Sequence, residues 1–492
     1  MLTKTPFLPG FSTLLFGRAK KKEQDGIRER YREIEGKPCG DIARQLQEEI
    51  PAAIVDTLST TIRERVYTSA VTFWAFLGQV FSEDGSCASA VAGVQQMRRN
   101  AGLSVPSPNT ASYTEARQNL PDELLDSVQS HLNKQLDAHL SSSQLWRGYR
   151  VKSVDGTSVQ APDTAANQKE YSQPNTQKPG CGFPSVQLVG LIDLCHGGLL
   201  NFSHGDCNTS ELRGFEQLEN HLKKGDLLVA DRLYSSYELI ARLAGKGIPF
   251  IGRNHQSRKV DFRKGRKLGR DQRQIEWRKP HAQPPGSAAT AEEWDALPDS
   301  LEMRIIRTKG PDREGKMKTR YIVTTLTDAE EYPAEEVASI YHHRWEIELR
   351  FRDIKTTMGM ELLRTQTPEM LRKEIKMHAI AYNLIKLLML KAAAEHGVSH
   401  RRIGFKGVLQ VLDKFRVGFQ KYANQPRKLR EEKSNLLLRI AERLVPYRPG
   451  RNEPRKKKRR PKSYGWLQKP RHEYFEHFRS EIVPMQILEQ HA

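Results

Sequence analysis

Residues 341–355, YHHRWEIELRFRDIK, combine acidic, basic and aromatic side chains at helical intervals. On a continuous helix, steps of three and four residues align five of them on one face: Tyr341, Arg344, Glu348, Arg352 and Lys355. A carboxylate there could bind a divalent metal while the cations beside it grip phosphate oxygens. The alternative is that Arg344 and Glu348 form an ordinary surface ion pair, which contributes little to stability.

Two further carboxylates follow apolar runs that are typical of β-strands. Asp155 ends the run GYRVKSVD, and Asp231 ends the run DLLVAD. The Gly-Thr pair after Asp155 is expected to turn the backbone away, so that this carboxylate faces open space. Two or three carboxylates suit the metals that act on phosphates, and two metals can activate the attacking oxygen and stabilise the leaving one. Asp155, Asp231 and Glu348 are therefore candidate catalytic metal ligands.

The elements around these acids predict a mixed sheet. From about residue 147 the patterns give three strands, a helix, a strand, a second helix and a fifth strand. The second and third strands are expected to form a hairpin across CHGG, and Ser210 is expected to cap the first helix. Residues 254–334 have a basic, mostly β pattern and are predicted to be an insertion. Pro333 is then expected to start one long helix that carries Glu348.

The two ends of the chain are predicted to be helical. Residues 109–118 are consistent with the second helix of a helix-turn-helix that enters a DNA groove, and equally with a plain helical bundle. The chain after residue 395 is basic, and residues 455–460 are six consecutive basic side chains. We expect this run to contact phosphates.

The composition favours a polyanionic partner. The chain has 492 residues, with 79 Lys and Arg against 59 Asp and Glu, for a formal net charge of +20. Its most apolar stretch is interrupted by Lys386 and Lys391, so no membrane span is predicted. The five scattered cysteines form no C-x2-C pair, which indicates reduced thiols rather than a zinc site. The pattern is that of a cytoplasmic protein.

The spacing Tyr341-x2-Arg344-x3-Glu348-x6-Lys355 resembles the Y-x2-R-x3-E-x6-K signature of bacterial insertion-sequence transposases of the DDE class, the IS-four family. VDGT at 154–157 is similar to the first-aspartate block of that family, and VADRLY at 229–234 is similar to the second. The long interval between Asp231 and Glu348 is similar to the family's β-rich insertion.

The resemblance implies an α/β fold with a ribonuclease H-like core, and roles for the residues already named. Asp155, Asp231 and Glu348 would bind two Mg²⁺ ions, for which Mn²⁺ can substitute. The cations and the tyrosine of the signature would hold DNA phosphates: Tyr341, Arg344, Arg352 and Lys355. Tyr321, where some relatives have tryptophan, would stack on a flipped base, and Arg253 would contact the DNA backbone. Whether cleavage passes through a DNA hairpin stays open.

We therefore predict a DNA transposase that binds terminal inverted repeats and target DNA as a homodimer in the bacterial nucleoid. Five regions are predicted: a helical DNA-binding region (1–140), the core in two parts (141–253 and 335–395), the insertion (254–334) and a helical, basic C-terminal region (396–492). The alternatives are a plain metal-dependent nuclease and a DNA-binding or regulatory protein with a relic core. Other acids near the site are expected to be structural, as is Trp277: Asp163, Asp193, Asp206 and Glu211.

Overall fold

The computed structural model describes residues 46–56, 66–284, 287, 289–311, 316–422, 425–446, 466–470 and 473. These residues belong to two compact units. One is drawn from Met1–His139 and Arg372–Val445, and the other from Leu140–Leu371 and Pro446–Ala492. One compact unit contains both the N-terminal helices and the helices after residue 371. The five-region division stays a prediction. The basic run 455–460 lies outside the described residues.

Several α-helices begin directly after a hydroxyl residue that caps them. Thr68, Ser86, Ser210 and Ser236 each accept a hydrogen bond from the backbone amide three residues later. The α-helices are α1 Ala52–Asp56, α2 Ser69–Phe81, α3 Cys87–Asn100, α4 Ala111–Gln118, α5 Asp122–Ala138, α6 Ala165–Glu170, α7 Glu211–Glu216, α8 Tyr237–Gly245, α9 Ala291–Asp295, α10 Ala334–His342, α11 Glu346–Arg352, α12 Pro368–His396, α13 Phe405–Lys421 and α14 Pro426–Ala441. Shorter 3₁₀ turns span Gln47–Glu49, Ser142–Gln144, Glu219–His221, Arg232–Tyr234, His343–Trp345 and His400–Arg402, and a π-helical turn spans Asp353–Thr357.

The first unit is helical within its described part. In α4, the segment predicted to enter a DNA groove, Tyr113 and Arg117 are buried. Both donate hydrogen bonds to Gln79 Oε1, at 2.8 and 3.0 Å. One face of α4 therefore belongs to the unit's core, while Asn109 and Glu115 are exposed. Among the described residues, no helix is both long enough and apolar enough to cross a membrane.

The second unit is built on one sheet, in which the described residues form nine strands in the order β3-β2-β1-β4-β5-β9-β8-β7-β6. The strands are β1 Arg150–Gln160, β2 Ser185–Asp193, β3 Leu199–Asp206, β4 Asp226–Ala230, β5 Phe250–Arg253, β6 Arg266–Gly269, β7 Gln272–Arg278, β8 Ser300–Pro311 and β9 Met317–Thr324. β1, β2 and β3 are antiparallel neighbours, and β4 and β5 run parallel to β1. This order is the ribonuclease H-like arrangement, and the predicted hairpin β2–β3 is present.

The strands of the predicted insertion extend the core sheet. β9 pairs antiparallel with β5, and β8, β7 and β6 follow outward. Trp277 on β7 is buried, and the Arg258 guanidinium lies 3.6 Å from the centre of its ring. A single sheet therefore runs from the acidic core into the insertion, and the hydrophobic core continues beneath both.

Two local expectations were wrong. β1 does not end at Asp155: it continues to Gln160 because residues 155–160 stay paired with β2, so the Gly-Thr pair does not turn the chain. The helix expected after Pro333 is not continuous, since the 3₁₀ turn His343–Trp345 separates α10 from α11. A 3₁₀ turn advances about 120° per residue instead of about 100°, so the signature residues do not share one straight helical face.

Candidate active site

Sheet register places the two aspartates side by side. The parallel pairing of β1 with β4 ends at Val154 opposite Ala230. Asp155 and Asp231 are the next residues of the two chains, so both lie at the carboxyl end of this parallel pair. Asp231 also caps the following 3₁₀ turn, and its Oδ1 accepts a hydrogen bond from the Arg232 amide at 2.5 Å.

Helix α11 brings the glutamate to the first aspartate. Gly190 on β2 pairs with Asp155, and a Cβ on Gly190 would lie 2.8 Å from the Phe351 ring. Because Gly190 has no side chain, Phe351 seats α11 closely on the sheet, where it also stacks with Phe202 at 6.1 Å between ring centres. Glu348, one turn before Phe351, is thereby held beside β1.

Arg344 joins the first aspartate to the glutamate. Its Nη1 lies 3.3 Å from Asp155 Oδ2, and its Nη2 lies 3.2 Å from Glu348 Oε1. The side chains of Arg344 and Asp155 are 17% and 20% exposed, whereas that of Glu348 is 40% exposed. The pair at 344 and 348 is therefore not an isolated surface ion pair, because the same guanidinium holds a largely buried carboxylate.

The site carries more negative than positive charge. Burial raises the pKa of Asp155 to about 6; Arg344 opposes the rise, and the carboxylates of Glu211 and Asp231 add to it. Burial also lowers the pKa of the Arg344 guanidinium, but Tyr341, Asp155 and Asp231 outweigh this and raise it. Arg344 therefore lies in the field of more than one carboxylate.

These residues suit a divalent cation in chemistry and charge. Carboxylate oxygens are the hard donors that Mg²⁺ prefers, and the neighbouring carboxylates add to the rise in the pKa of Asp155, an effect that a bound cation would offset. Within the described part of the chain, however, no three His, Cys, Asp or Glu side chains are already close enough together to hold a metal ion. Arg344 lies between two of the predicted ligands instead. Asp155, Asp231 and Glu348 are the residues that would hold the metal.

The other predicted residues differ in how close they lie to the acids. Burial raises the pKa of Tyr341, and the charges of Arg344, Asp231 and Arg253 also act on it. These four side chains are therefore neighbours. The Lys355 Nζ donates to Thr157 Oγ1 at 3.2 Å, two residues beyond the first aspartate.

Arg352 and Tyr321 are placed differently. Arg352 is exposed at the end of α11. Tyr321 on β9 is half-buried, with its ring centre 5.8 Å from that of Phe262 inside the predicted insertion. Tyr321 is thus partly engaged in packing, and a stacking role for it stays a prediction.

Known proteins match the same part of the chain. The family model described as "Transposase DDE domain" matches residues 146–384, which contain all three predicted acids. The chain is also 26% identical over 358 residues to the transposase InsG for insertion sequence element IS4 of Escherichia coli strain K12, across 70% of this chain and 75% of that protein. These two matches support an enzyme of the DDE transposase type.

More limited similarities accompany these matches. The transposase for insertion sequence element IS421 of Escherichia coli is 38% identical over 64 residues, which are 13% of this transposase and 17% of that one. Among solved structures, the piggyBac transposase synaptic complex with hairpin DNA has a TM-score of 0.41 and 12% identity, over 82% of this chain and 83% of that chain. The fold assignment rests on the strand order given above. Similarity to the DDE transposase domain implies DNA binding and dependence on a divalent metal.

The structure places two further side chains beside the predicted acids: Glu211, which the sequence led us to expect as a structural residue, and Tyr234, which the sequence did not single out. The Tyr234 hydroxyl donates to Glu211 Oε2 at 3.2 Å, and the Glu211 carboxyl group lies against Gly156. Glu211 begins α7, where an acid is commonly explained by the helix dipole, so its sequence position carries no separate signal. In the sequence, Tyr234 has the pattern of an ordinary core tyrosine.

The remaining acids near the site have partners of their own. Asp193 is buried and ion-paired with Arg150, and Asp206 accepts hydrogen bonds from the Ser172 hydroxyl and amide at 2.6 and 2.8 Å. Asp163 is exposed and accepts from Gln168 at 2.9 Å.

Proposed function

We propose that this transposase binds the terminal inverted repeats of an insertion sequence, cleaves the DNA at its ends and joins them to target DNA. Asp155, Asp231 and Glu348 are its catalytic residues, and they hold two Mg²⁺ ions. The observation that carries the proposal is the convergence of these acids: Asp155 and Asp231 lie where the parallel pairing of β1 with β4 ends, and Arg344 links Asp155 to Glu348. A plain packing role does not explain half-buried carboxylates gathered around one guanidinium.

When bound, the ions supply a Lewis acid that activates the attacking oxygen and stabilises the leaving one. The protein's own side chains orient the DNA strand. Arg344 and Lys355 are placed to bind phosphate oxygens beside the acids, and Arg offers two parallel donors to one phosphate. Tyr341 supplies a hydroxyl donor from α10, and Arg253 supplies a cation from the end of β5. Their closeness to Asp231 supports this assignment.

Arg352 and Tyr321 are proposed to contact DNA farther from the acids. Arg352 is exposed and free to meet the backbone of the flank, and Tyr321 offers an aromatic face to an unstacked base. Because two element ends must be cut and joined in concert, we expect a homodimer to hold them.

The test is cleavage of a linear DNA fragment that carries the gene's own flanks. Wild-type protein is compared in Mg²⁺ and in Ca²⁺, and with Asp231→Asn, which keeps the side-chain shape and removes the charge. We expect Mg²⁺-dependent cuts at defined flank positions, lost in Asp231→Asn and retained in Asp163→Asn, a matched change at an exposed acid. Native gels reveal a closed hairpin end, and light scattering on the DNA complex counts the subunits.

Two results would contradict the proposal. Specific flank binding without cutting in any metal would indicate a DNA-binding protein with a relic site. Cutting by Asp231→Asn at the wild-type rate would remove Asp231 from the catalytic set.

A further inference from the structure

Glu211 lies where a side chain on Gly156 would otherwise be. A Cβ built on Gly156 would fall 2.2 Å from both Cδ and Oε1 of Glu211. Gly156 lies in the extended strand β1, and its φ is not positive, unlike that of several other described glycines. Its backbone conformation therefore does not require glycine. The close approach of the Glu211 carboxyl group does require it. The residue after the first aspartate therefore makes room for a fourth acid.

The second aspartate block holds the same carboxylate from its other side. Tyr234, three residues after Asp231, is fully buried and packs edge-on against Phe215 at 5.9 Å between ring centres. Its hydroxyl donates to Glu211 Oε2 at 3.2 Å. A hydrogen bond from a rigid, buried tyrosine fixes the carboxyl group between the two aspartate strands.

Helix α7 presents Glu211 from a fixed position on the sheet. Gly214, three residues later, lies so close to β2 and β3 that a Cβ there would be 2.6 Å from Val189 Cγ2 and 3.0 Å from Ser203 Oγ. Side chains three residues apart share a helical face, so the contact of Gly214 with the sheet turns Glu211 toward the sheet as well.

Glu211 differs from the other glutamates nearby in having no cationic partner. Glu216, at the other end of α7, pairs with Arg242 at 3.6 Å, and Glu219 pairs with both Arg242 and Lys246. Among the described residues, no Lys, Arg or His forms an ion pair with Glu211. A half-buried carboxylate beside two further acids is costly unless a cation compensates it.

We propose that Glu211 is a fourth acidic ligand of the metal site, acting with Asp155 and Asp231, and that Tyr234 is the positioning residue that orients it. This inference rests on the proposed function, since it concerns the divalent ions assigned to the same acids. The Oε2 atom of Glu211 accepts the hydrogen bond from Tyr234, and its Oε1 atom lies beside Gly156, next to the first aspartate.

The test measures Mn²⁺ binding to the full-length protein without DNA, by the electron paramagnetic resonance signal of free Mn²⁺. Glu211→Gln keeps the shape and the acceptor for Tyr234 but removes the charge. We expect it to weaken Mn²⁺ binding by about 10–100-fold, the range seen when even outer partners of a metal site are lost. Glu216→Gln, the same change on the same helix, should leave the affinity within about twofold of wild type.

Gly156→Ala tests the same contact from the opposite side. Its methyl group would displace the Glu211 carboxyl group, so we expect a loss of Mn²⁺ affinity like that of Glu211→Gln. Added to Glu211→Ala, which leaves no carboxyl group to displace, Gly156→Ala should cost no further affinity. If Glu211→Gln does not fold, as judged by circular dichroism, Gly156→Ala and the charge-retaining Glu211→Asp carry the test.

Asp231→Asn distinguishes the two levels of inference. If Asp231→Asn loses Mn²⁺ and Glu211→Gln binds it like wild type, Glu211 is not a ligand and the proposed function stands. If Asp231→Asn and Glu211→Gln both bind Mn²⁺ as tightly as wild type, both the proposed metal site and the fourth ligand are overturned. Loss of affinity in both variants, with Glu216→Gln unchanged, supports both.

Discussion

Replacing Asp155 by Asn should stabilise the metal-free protein, although it should abolish catalysis. The pKa of Asp155 is raised from an ordinary value of 3.8 to about 6, chiefly by burial. An acid with a raised pKa holds its proton in the folded state at a pH where the unfolded chain has released it. Stability therefore falls as pH rises from about 4 to about 6, and the full deficit remains above that range.

The size of the effect follows from the pKa difference. About two pKa units correspond to about 3 kcal/mol in the free energy of unfolding. Asp155 is one-fifth exposed, and Arg344 loses a charged partner in the variant, so we expect a gain of roughly 1–2 kcal/mol. At about 2–4 °C per kcal/mol, the melting temperature should rise by roughly 2–8 °C.

The assay is thermal unfolding in EDTA at about pH 7.5 and about pH 5, where the expected gain is about half as large. Asp206→Asn is the matched control of opposite sign. Burial favours a higher pKa for Asp206, but hydrogen bonds from Ser172 and Asn208 outweigh burial and lower the pKa to about 2. Replacing this carboxylate should therefore destabilise the protein. Destabilisation by Asp155→Asn at both pH values, equal to that of Asp206→Asn, would refute the reasoning. Added Mg²⁺ should raise the melting temperature of wild type and of Asp206→Asn, but not that of Asp155→Asn.

Substitutions at three further positions test the DNA contacts. Arg344→Lys keeps the charge but cannot span the two carboxylates, and loss of one charged hydrogen bond should slow flank cleavage about 10–100-fold in a gel assay with folding unchanged. Lys355→Met should weaken flank binding measured by fluorescence anisotropy. The slope of log affinity against log salt concentration should become shallower by about 0.9. Lys246→Met, which lies after α8 and before β5, should change neither quantity. Tyr321→Phe should retain flank binding and Tyr321→Ala should lose about 1–3 kcal/mol of it. The melting temperatures of both variants without DNA separate stacking on a base from packing against Phe262.

Much of the core could be predicted because its signals are local. Alternating apolar runs predicted β1, β2, β3, β4 and β5, and the hydroxyls at Ser210 and Ser236 cap the helices that follow them. The Tyr-Arg-Glu-Lys spacing and the two aspartate blocks predicted the family, which the comparisons confirm. Such patterns depend on residues a few positions apart, where backbone geometry alone relates side chains.

Other features depend on partners that lie far away in the chain. The end of β1 is decided by its pairing with β2, which carries the strand past Asp155, and the insertion joins the core sheet because β9 pairs with β5. The 3₁₀ turn at His343–Trp345 breaks a segment whose composition suits one helix. For β1 and for the insertion, pairing between strands that are distant in the chain overrides the local pattern.

By itself, the sequence determined which residue types were available for metal and phosphate chemistry, and at what spacing along the chain. Only the tertiary structure decided which of them meet. It placed Asp155 beside Asp231, set Arg344 between Asp155 and Glu348, and brought Glu211 against Gly156. The reason is physical: strand register and close glycine contacts set these distances, and neither is encoded within any one segment of the chain.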